Sequence, residues 1–284
     1  MIGGEPASRR PGATTPVTPV VIGADGSRRP RSDVVATEEP LEIRVAHRGR
    51  EHQVAVTMRT PGHDFELAAG FLLGEGMVRE RRHVGKVTYC ASGPPEQLYN
   101  LVTVELANAA PFDADAMRRN MFTSSSCGVC GKASIEAVRS GVPVTLPAGP
   151  VVDAATLLSL PDTLRTKQKV FERTGGLHAA GLFDAQGTPL LVREDVGRHN
   201  AVDKVAGALL LAGGIPAGER ILQVSGRASF EIVQKAAMAG IPIVAAVSAP
   251  SSLAVELADE TGMTLIGFSR ESTLGVYTRP ERIA

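Results

Sequence analysis

The carboxyl-terminal half of the sequence predicts an α/β fold with helices on both faces of a parallel or mixed sheet. Between residues 221 and 268, short apolar segments alternate regularly with helical ones, a pattern typical of parallel sheets. A second observation is size: 284 residues, 43% of them hydrophobic, are enough to bury a large core. We therefore expect an α/β domain over residues 132–284 and a smaller α+β lobe over residues 37–122.

Residues 1–36 are rich in Pro, Gly, Ser, Thr and Arg and show no periodic pattern. Segments of this composition bury too little apolar surface to offset the loss of chain entropy on folding. The sequence therefore predicts a mostly disordered tail over residues 1–36.

The smaller lobe is predicted to begin with a β-hairpin, because apolar residues alternate over 41–46 and again over 54–58. An apolar-faced helix over 65–73 should follow and end at Gly74 or Gly76. Strands are expected near 84–90 and 98–107. Cys90 would then pack in a core, as single cysteines commonly do.

The large domain is predicted to open with helices near 153–159 and 162–173 and strands near 177–183 and 188–193. A helix from about 199 to 212 precedes the regular part of the pattern. That part has strands at 221–224, 243–247 and 264–268, separated by helices over 229–239 and 251–261. The loops after parallel strands meet at one edge of a sheet, where ligands bind against helix N-termini.

Two cysteines three positions apart, Cys127 and Cys130, stand in a Ser- and Gly-rich segment that predicts a mobile loop over residues 123–131. A helix should follow, and its N-terminus together with Lys132 would favour the thiolate of Cys130. The flexible segment favours sulfur handling, with a structural zinc site and a thioredoxin-type pair left open. Zinc requires four ligands, and the rest of the chain offers only Cys90 and six histidines.

Two loops at the expected sheet edge carry groups suited to phosphates. Each follows a strand, precedes a helix and offers hydroxyls and free backbone N–H groups. The residues are Ser225, Gly226 and Arg227 in the first loop and Ser248 in the second. The alternative is that the serines only cap helices. Because the loops are adjacent and one holds an arginine suited to bidentate phosphate binding, we interpret them as a ligand site.

Two further candidates are the charged run 193–204 and a histidine. The run includes Arg198 and His199 and is either a solvated face or part of the same site; its position at a strand end favours a site. His178 enters an apolar strand, where a histidine is usually a core residue. A zinc deaminase would need a glutamate where Ala180 stands, so deaminase activity is not expected.

Charge and composition exclude several classes of function. Lys and Arg together number 30, as do Asp and Glu, so the formal net charge is zero. This balance argues against bulk binding of nucleic acid or anionic membranes. No window approaches the roughly 18 apolar residues of a membrane span, and three cysteines do not make a disulfide scaffold. We expect a soluble, cytoplasmic protein without a signal peptide.

Taken together, these segments resemble the formate dehydrogenase accessory sulfurtransferase family, FdhD. The resemblance is carried by six ordered motifs, which are residues 125–132, 176–180, 194–204, 225–227, 248–252 and 267–270. It implies a cytidine-deaminase-like α/β fold with a smaller lobe, commonly as a homodimer. The first 35 residues lie outside the resemblance.

The resemblance further implies a sulfur shuttle. A cysteine desulfurase would pass a persulfide to Cys127, with Cys130 as its partner. The sulfur would then move to the molybdenum or tungsten bis-guanine-dinucleotide cofactor before that cofactor enters formate dehydrogenase. The segment that matches the family's cofactor-binding stretch is Phe268, Ser269, Arg270, Glu271, Ser272 and Thr273. No permanent cofactor and no bound metal are expected.

Two other functions remain as alternatives. A non-catalytic chaperone would hold the same cofactor while its C-x-x-C segment stays structural or binds a metal, and it would form no persulfide. A thiol–disulfide sensor would instead form a reversible disulfide between Cys127 and Cys130.

Overall fold

The computed structural model describes residues 11–90, 98–114, 142, 145–270 and 272–284, and the strands among them form two larger sheets and two short ribbons. Cys127, Cys130, the loop around them, the helix expected after it, Glu271 and the side chain of Arg270 lie outside what is described. Predictions about these residues stay predictions.

The strands are β1 (Thr14–Val17), β2 (Val20–Ile22), β3 (Arg28–Pro30), β4 (Asp33–Ala36), β5 (Glu39–His47), β6 (Arg50–Arg59), β7 (Val84–Tyr89), β8 (Leu101–Leu106), β9 (His178–Phe183), β10 (Pro189–Asp195), β11 (Ile221–Val224), β12 (Ile243–Ala246), β13 (Thr264–Arg270) and β14 (Thr273–Thr278). The helices are α1 (Asp64–Gly74), α2 (Ala154–Lys167), α3 (Lys169–Thr174), α4 (Arg198–Leu211), α5 (Phe230–Met238) and α6 (Ser252–Thr261). Short 3₁₀ turns occur at Arg81–His83 and Pro280–Arg282.

The larger sheet has the strand order β10-β9-β11-β12-β13-β14. Its centre, from β11 to β13, is parallel, whereas β9 pairs antiparallel with β10 and β11, and β14 pairs antiparallel with β13. Strands β11 and β12 are completely buried, as expected of parallel strands with both faces covered. The predicted α/β fold is confirmed, and the sheet is mixed because hairpins form both of its edges.

The smaller sheet, in the order β6-β5-β8-β7, contains the predicted hairpin as β5 and β6. Strand β5 also pairs in parallel with β8, and β7 pairs antiparallel with β8. Helix α1 follows β6 and ends at Gly74, so the predicted helix over 65–73 is confirmed. Its apolar face, which includes Leu67 and Leu72, is completely buried.

One hydrophobic core runs through both the smaller sheet and the large domain. It contains Leu41 from the first and Val205 from the second among its buried residues. A second core lies on the opposite face of the larger sheet, where Leu160 of α2 and Phe183 of β9 are completely buried. The shared core means that the two sheets are packed together rather than joined only by a linker.

Helices α1 and α4 cross at a pair of glycines. A Cβ atom on Gly70 would lie 1.8 Å from the carbonyl oxygen of Asp203, and one on Gly207 would lie 1.8 Å from the carbonyl oxygen of Glu66. Both contacts are to backbone atoms, which a side-chain rotation cannot move. The crossing therefore requires glycine on both helices, because only glycine lets the two backbones approach this closely.

The prediction of disorder is wrong for residues 14–36, which form four short strands. Strand β1 pairs with β4, and β2 pairs with β3, as two antiparallel ribbons. Contacts beyond this segment support the first ribbon: Thr15 Oγ1 lies 2.8 Å from Thr37 Oγ1, and β4 packs against α3. The composition of a segment indicates how much apolar surface that segment can bury by itself. It does not reveal contacts with the rest of the chain, such as those of β4 with α3.

Three further features differ from the sequence prediction. Helix α2 runs through Pro161, where the sequence predicts two helices; Leu157 and Leu164 on either side of the proline are both buried and hold the helix against the sheet. Cys90 is half-buried rather than in a core. It directly follows the edge strand β7, and its backbone N–H donates to the carbonyl oxygen of Leu101 over 3.0 Å. Strand β14 has no counterpart in the prediction.

Gly70→Ala and Gly207→Ala are each expected to destabilise the protein by about 3 kcal/mol or more, because the helices must separate to admit one methyl group. Chemical denaturation followed by circular dichroism measures the free energy of unfolding. Gly12→Ala is the matched control, because a Cβ atom there has no neighbour within 4 Å. Equal stability of Gly70→Ala and Gly12→Ala would contradict the close crossing.

Candidate functional site

The loops after β10, β11 and β12 meet at one edge of the larger sheet, as the strand directions require. Val196, Ser225 and Val247 come from these three loops and line one cavity with a volume of about 660 Å³. Helices α2 and α3 supply the opposite wall, where the guanidinium carbon of Arg165 lies 4.1 Å from the centre of the Phe171 ring. The cavity therefore occupies the position at which α/β sheets of this kind bind ligands.

His178, the first residue of β9, lies close to two other predicted site residues, Gly226 and Arg198. A Cβ atom on Gly226 would lie 3.6 Å from His178 Nδ1 and 3.9 Å from Arg198 Cδ, so the two side chains flank the glycine. Burial, together with the neighbouring Arg198 and His199, lowers the pKa of His178 below the usual value for histidine. His178 is therefore a half-buried, neutral hydrogen-bonding group at neutral pH, and it lines the cavity.

Ser225 supports the sheet as well as lining the cavity. Its backbone N–H donates to the carbonyl oxygen of Ala179 over 3.0 Å, and its Oγ accepts the Ala179 N–H over 2.9 Å. These bonds fix the end of β11 against the start of β9. Ser251 fits the alternative that serines at this edge cap helices. Its hydroxyl caps α6 by accepting a hydrogen bond from the Ala254 N–H over 3.3 Å.

The described residues of the predicted segment 268–273 lie at another part of the same edge. The N–H of Phe268 donates to the carbonyl oxygen of Ser248 over 3.3 Å. Phe268 has a φ of 51° and is 40% exposed; bulky residues rarely adopt this left-handed conformation, and those that do are common at functional sites. Ser269 differs, because it is completely buried and its hydroxyl donates to Leu157 O over 3.3 Å. Ser272, Thr273 and Arg227 are exposed.

Part of the charged run 193–204 is structural rather than a ligand site. Lys204 Nζ lies 2.7 Å from Asp195 Oδ2, and both side chains are almost completely buried. Both also bind the turn after β6: the Thr60 N–H donates to Asp195 over 3.2 Å, and Lys204 donates to the carbonyl oxygen of Thr60 over 2.9 Å. This pair connects the two sheets, so the interpretation as a ligand site is wrong for Asp195 and Lys204.

A bidentate ion pair makes a second connection, between the larger sheet and helix α1. Arg193 on β10 donates to Glu66 on α1 from Nε over 2.5 Å and from a terminal nitrogen over 2.7 Å. Burial by itself would raise the pKa of Glu66, but the hydrogen bonds from Arg193 and His63 outweigh it and lower the pKa to about 2. The next residue, Glu194, accepts two backbone N–H groups at the start of α3, over 3.0 and 2.7 Å.

Arg198 and His199 occupy the first turn of α4, next to the loop after β11. His199 Nε2 lies 2.9 Å from Glu231 Oε2 and 3.1 Å from Ser229 Oγ. Arg198 Nε is buried without a hydrogen-bond partner among the described residues. Ser229 and Glu231 do not stand out in the sequence, because a serine at a helix start with an acid two positions later is typical of ordinary helix capping.

The described residues contain no group of three or more His, Cys, Asp or Glu side chains that could hold a metal ion. None of their helices is long and apolar enough to cross a membrane.

Comparison with known sequences places this chain among close relatives. The sequence profile of the FdhD/NarQ family matches residues 36–284. A protein of Mycolicibacterium paratuberculosis named sulfur carrier protein FdhD is 55% identical over 256 residues, which are 89% of this chain and 93% of the relative. A protein of Streptomyces avermitilis with the same name is 50% identical over 277 residues, which are 96% of this chain and 97% of the relative.

A solved structure has a similar fold. It is the crystal structure of a protein from Desulfotalea psychrophila assigned as a formate dehydrogenase accessory protein. The two chains are 27% identical and superpose with a TM-score of 0.76 over 96% of this chain and 100% of the other. The likeness confirms the mixed α/β architecture, and the cytidine-deaminase-like fold name stays a prediction.

Lys204→Met is expected to destabilise the protein by about 3–5 kcal/mol, because it leaves the buried Asp195 carboxylate without its cation. Urea denaturation at neutral pH measures the change. Lys167→Met, at the exposed end of α2, is the control and should change stability by about 0.5 kcal/mol or less. A Lys204→Met protein as stable as this control would show that the pair does not join the sheets.

Glu66→Gln is expected to make the stability of the protein less sensitive to acid. In the wild type, the depressed pKa of Glu66 stabilises the folded state above the ordinary value of 4.5, and this contribution is lost as the pH falls to about 2. The variant has no titrating carboxyl group at this position, so its free energy of unfolding should vary less across that range. Denaturation curves at several pH values test this, with Glu256→Gln on α6 as the control. The same pH slope in Glu66→Gln and the wild type would argue against the pairing.

Proposed function

This chain belongs to the FdhD/NarQ family, and from that premise we propose that it carries sulfur for the maturation of formate dehydrogenase. The observation that carries the proposal is the similarity to sulfur carrier proteins over nearly the full length of both chains. The segment Cys127-Gly128-Val129-Cys130 supplies the thiols that a sulfur carrier needs.

We propose that Cys127 receives the sulfur from a cysteine desulfurase, with Cys130 as its partner. The Cys127 thiolate attacks the outer sulfur of the desulfurase persulfide. A new S–S bond forms on Cys127 as the donor's S–S bond breaks, and the desulfurase cysteine leaves as a thiolate. The step needs no external oxidant or reductant. Lys132 and the N-terminus of the helix expected after the loop favour the thiolate form of Cys130, the partner of Cys127.

The substrate that receives the sulfur is, in this proposal, the molybdenum or tungsten bis-guanine-dinucleotide cofactor of formate dehydrogenase. The edge of the larger sheet offers groups suited to such a molecule. Arg198 and Arg227 carry the cationic donors that bind phosphates, and Phe268 is a partly exposed aromatic residue at the same edge. The cavity beside His178 combines apolar walls with a few polar groups, as nucleotide sites commonly do.

Incubation with a cysteine desulfurase and cysteine is expected to add the mass of one sulfur atom to the wild-type protein. Intact-protein mass spectrometry measures the gain, and a thiol reductant should reverse it. Cys127→Ala should abolish the gain, because it removes the attacking thiolate. Cys90→Ala is the matched control and should behave as the wild type.

Two outcomes would contradict the proposal. A sulfur gain that persists in Cys127→Ala would assign the carrier to another residue. A wild type that gains no sulfur and instead binds zinc stoichiometrically would support the non-catalytic chaperone.

A further inference from the structure

Two side chains at the start of helix α5 contact the same ring nitrogen of His199. Its Nε2 lies 2.9 Å from Glu231 Oε2 and 3.1 Å from Ser229 Oγ. Ser229 lies in the same connection after β11 as Gly226, and Glu231 lies in the first turn of α5. Gly226 itself is flanked by His178 and Arg198. One ring nitrogen of His199 is therefore engaged by the protein at the edge of the candidate site.

Both partners of His199 depart from the usual roles of residues at a helix start. Ser229 is the N-cap residue of α5, yet its hydroxyl makes no capping hydrogen bond, whereas Ser251 does cap α6. Glu231 is only 8% exposed, and its Oε1 has no hydrogen-bond partner among the described residues. A buried oxygen without a partner destabilises a fold, and such departures from local rules are expected at functional sites.

The Glu231 carboxylate determines which ring nitrogen of His199 carries the proton. An ionised carboxylate can only accept hydrogen bonds, so Nε2 is the donor and, in the neutral ring, Nδ1 is an acceptor. Among the described residues, Nδ1 has no hydrogen-bond partner, and it does not belong to their buried unpartnered atoms. Nδ1 is therefore accessible and can accept a hydrogen bond from a ligand.

Building on the proposed function, we propose that Glu231 is a positioning residue that orients His199 towards the nucleoside part of the cofactor. His199 Nδ1 accepts a hydrogen bond from a sugar hydroxyl or a base N–H group. The pyrophosphate linkage of a dinucleotide carries no such donor, and the cation of Arg198 suits it instead. The two neighbouring residues of the first turn of α4 thus recognise different parts of one ligand.

The first test measures the tautomer of His199 in the wild-type protein. Long-range ¹H–¹⁵N NMR spectra, recorded at a pH where the ring is neutral, distinguish protonation at Nε2 from protonation at Nδ1. The proposal expects the proton on Nε2. A proton on Nδ1 would overturn it, and this result does not depend on the folding of any variant.

The second test compares two probes by isothermal titration calorimetry, guanosine diphosphate and inorganic pyrophosphate. Glu231→Gln can turn an amide N–H towards the ring and so reverse the tautomer. It is expected to weaken guanosine diphosphate binding by about tenfold, the value of one hydrogen bond, while pyrophosphate binding stays the same. Glu256→Gln, an exposed glutamate on α6, is the control. Equal weakening of both probes, or of neither, would overturn the assignment.

A pair of His199 variants tests the same point without changing Glu231. The side-chain oxygen of asparagine can occupy the position of Nδ1, whereas glutamine reaches the position of Nε2. His199→Asn should therefore keep most of the affinity for guanosine diphosphate, and His199→Gln should lose about tenfold. The reverse order would overturn the assignment. A wild type that binds no guanosine diphosphate would instead contradict the nucleotide site of the proposed function, and this assignment with it.

Discussion

The contact between the backbones of α1 and α4 sets the distance between the two sheets, and the other connections between them depend on that distance. At the crossing, Gly70 lies against the backbone of Asp203. The Asp203 side chain is buried and accepts a hydrogen bond from Lys235 Nζ over 2.6 Å. Burial raises the pKa of Asp203 to about 6, despite the neighbouring Lys235, so the carboxylate is still ionised at neutral pH. An ion pair buried this deeply needs close geometry to offset the loss of hydration.

Helix α4 links the stability of the fold to the candidate site. Helix α4 crosses α1 at Gly207, and its Lys204 reaches the turn after β6. Its first turn places Arg198 beside Gly226 and His199 beside the start of α5. A helix held at several points along its length positions the side chains of its first turn more closely than a loop would. Substitutions at the crossing are therefore expected to shift the first turn of the same helix, which lies at the candidate site.

The sequence predicts those parts of the structure that depend on local pattern. The alternation of apolar strands and helices gives the larger sheet, and the polar loops after its strands meet at one edge. The parts that it misses depend on distant partners. Asp195 binds Thr60 from 135 positions away, and Glu231 holds His199 from the start of another helix. Neither residue type nor spacing distinguishes a charge that joins two sheets from one that faces a ligand.

The ribbon of β1 and β4 reaches one of the residues that line the cavity. A Cβ atom on Gly176, which lines the cavity, would lie 3.8 Å from Ala36 Cβ at the end of β4. The family profile begins at residue 36, so nearly all of this ribbon precedes the region that the profile matches. A protein shortened to residues 36–284 would lose β1 and most of β4 from beside the cavity. Ligand binding measured on such a shortened protein would describe a cavity that lacks the ribbon beside Gly176.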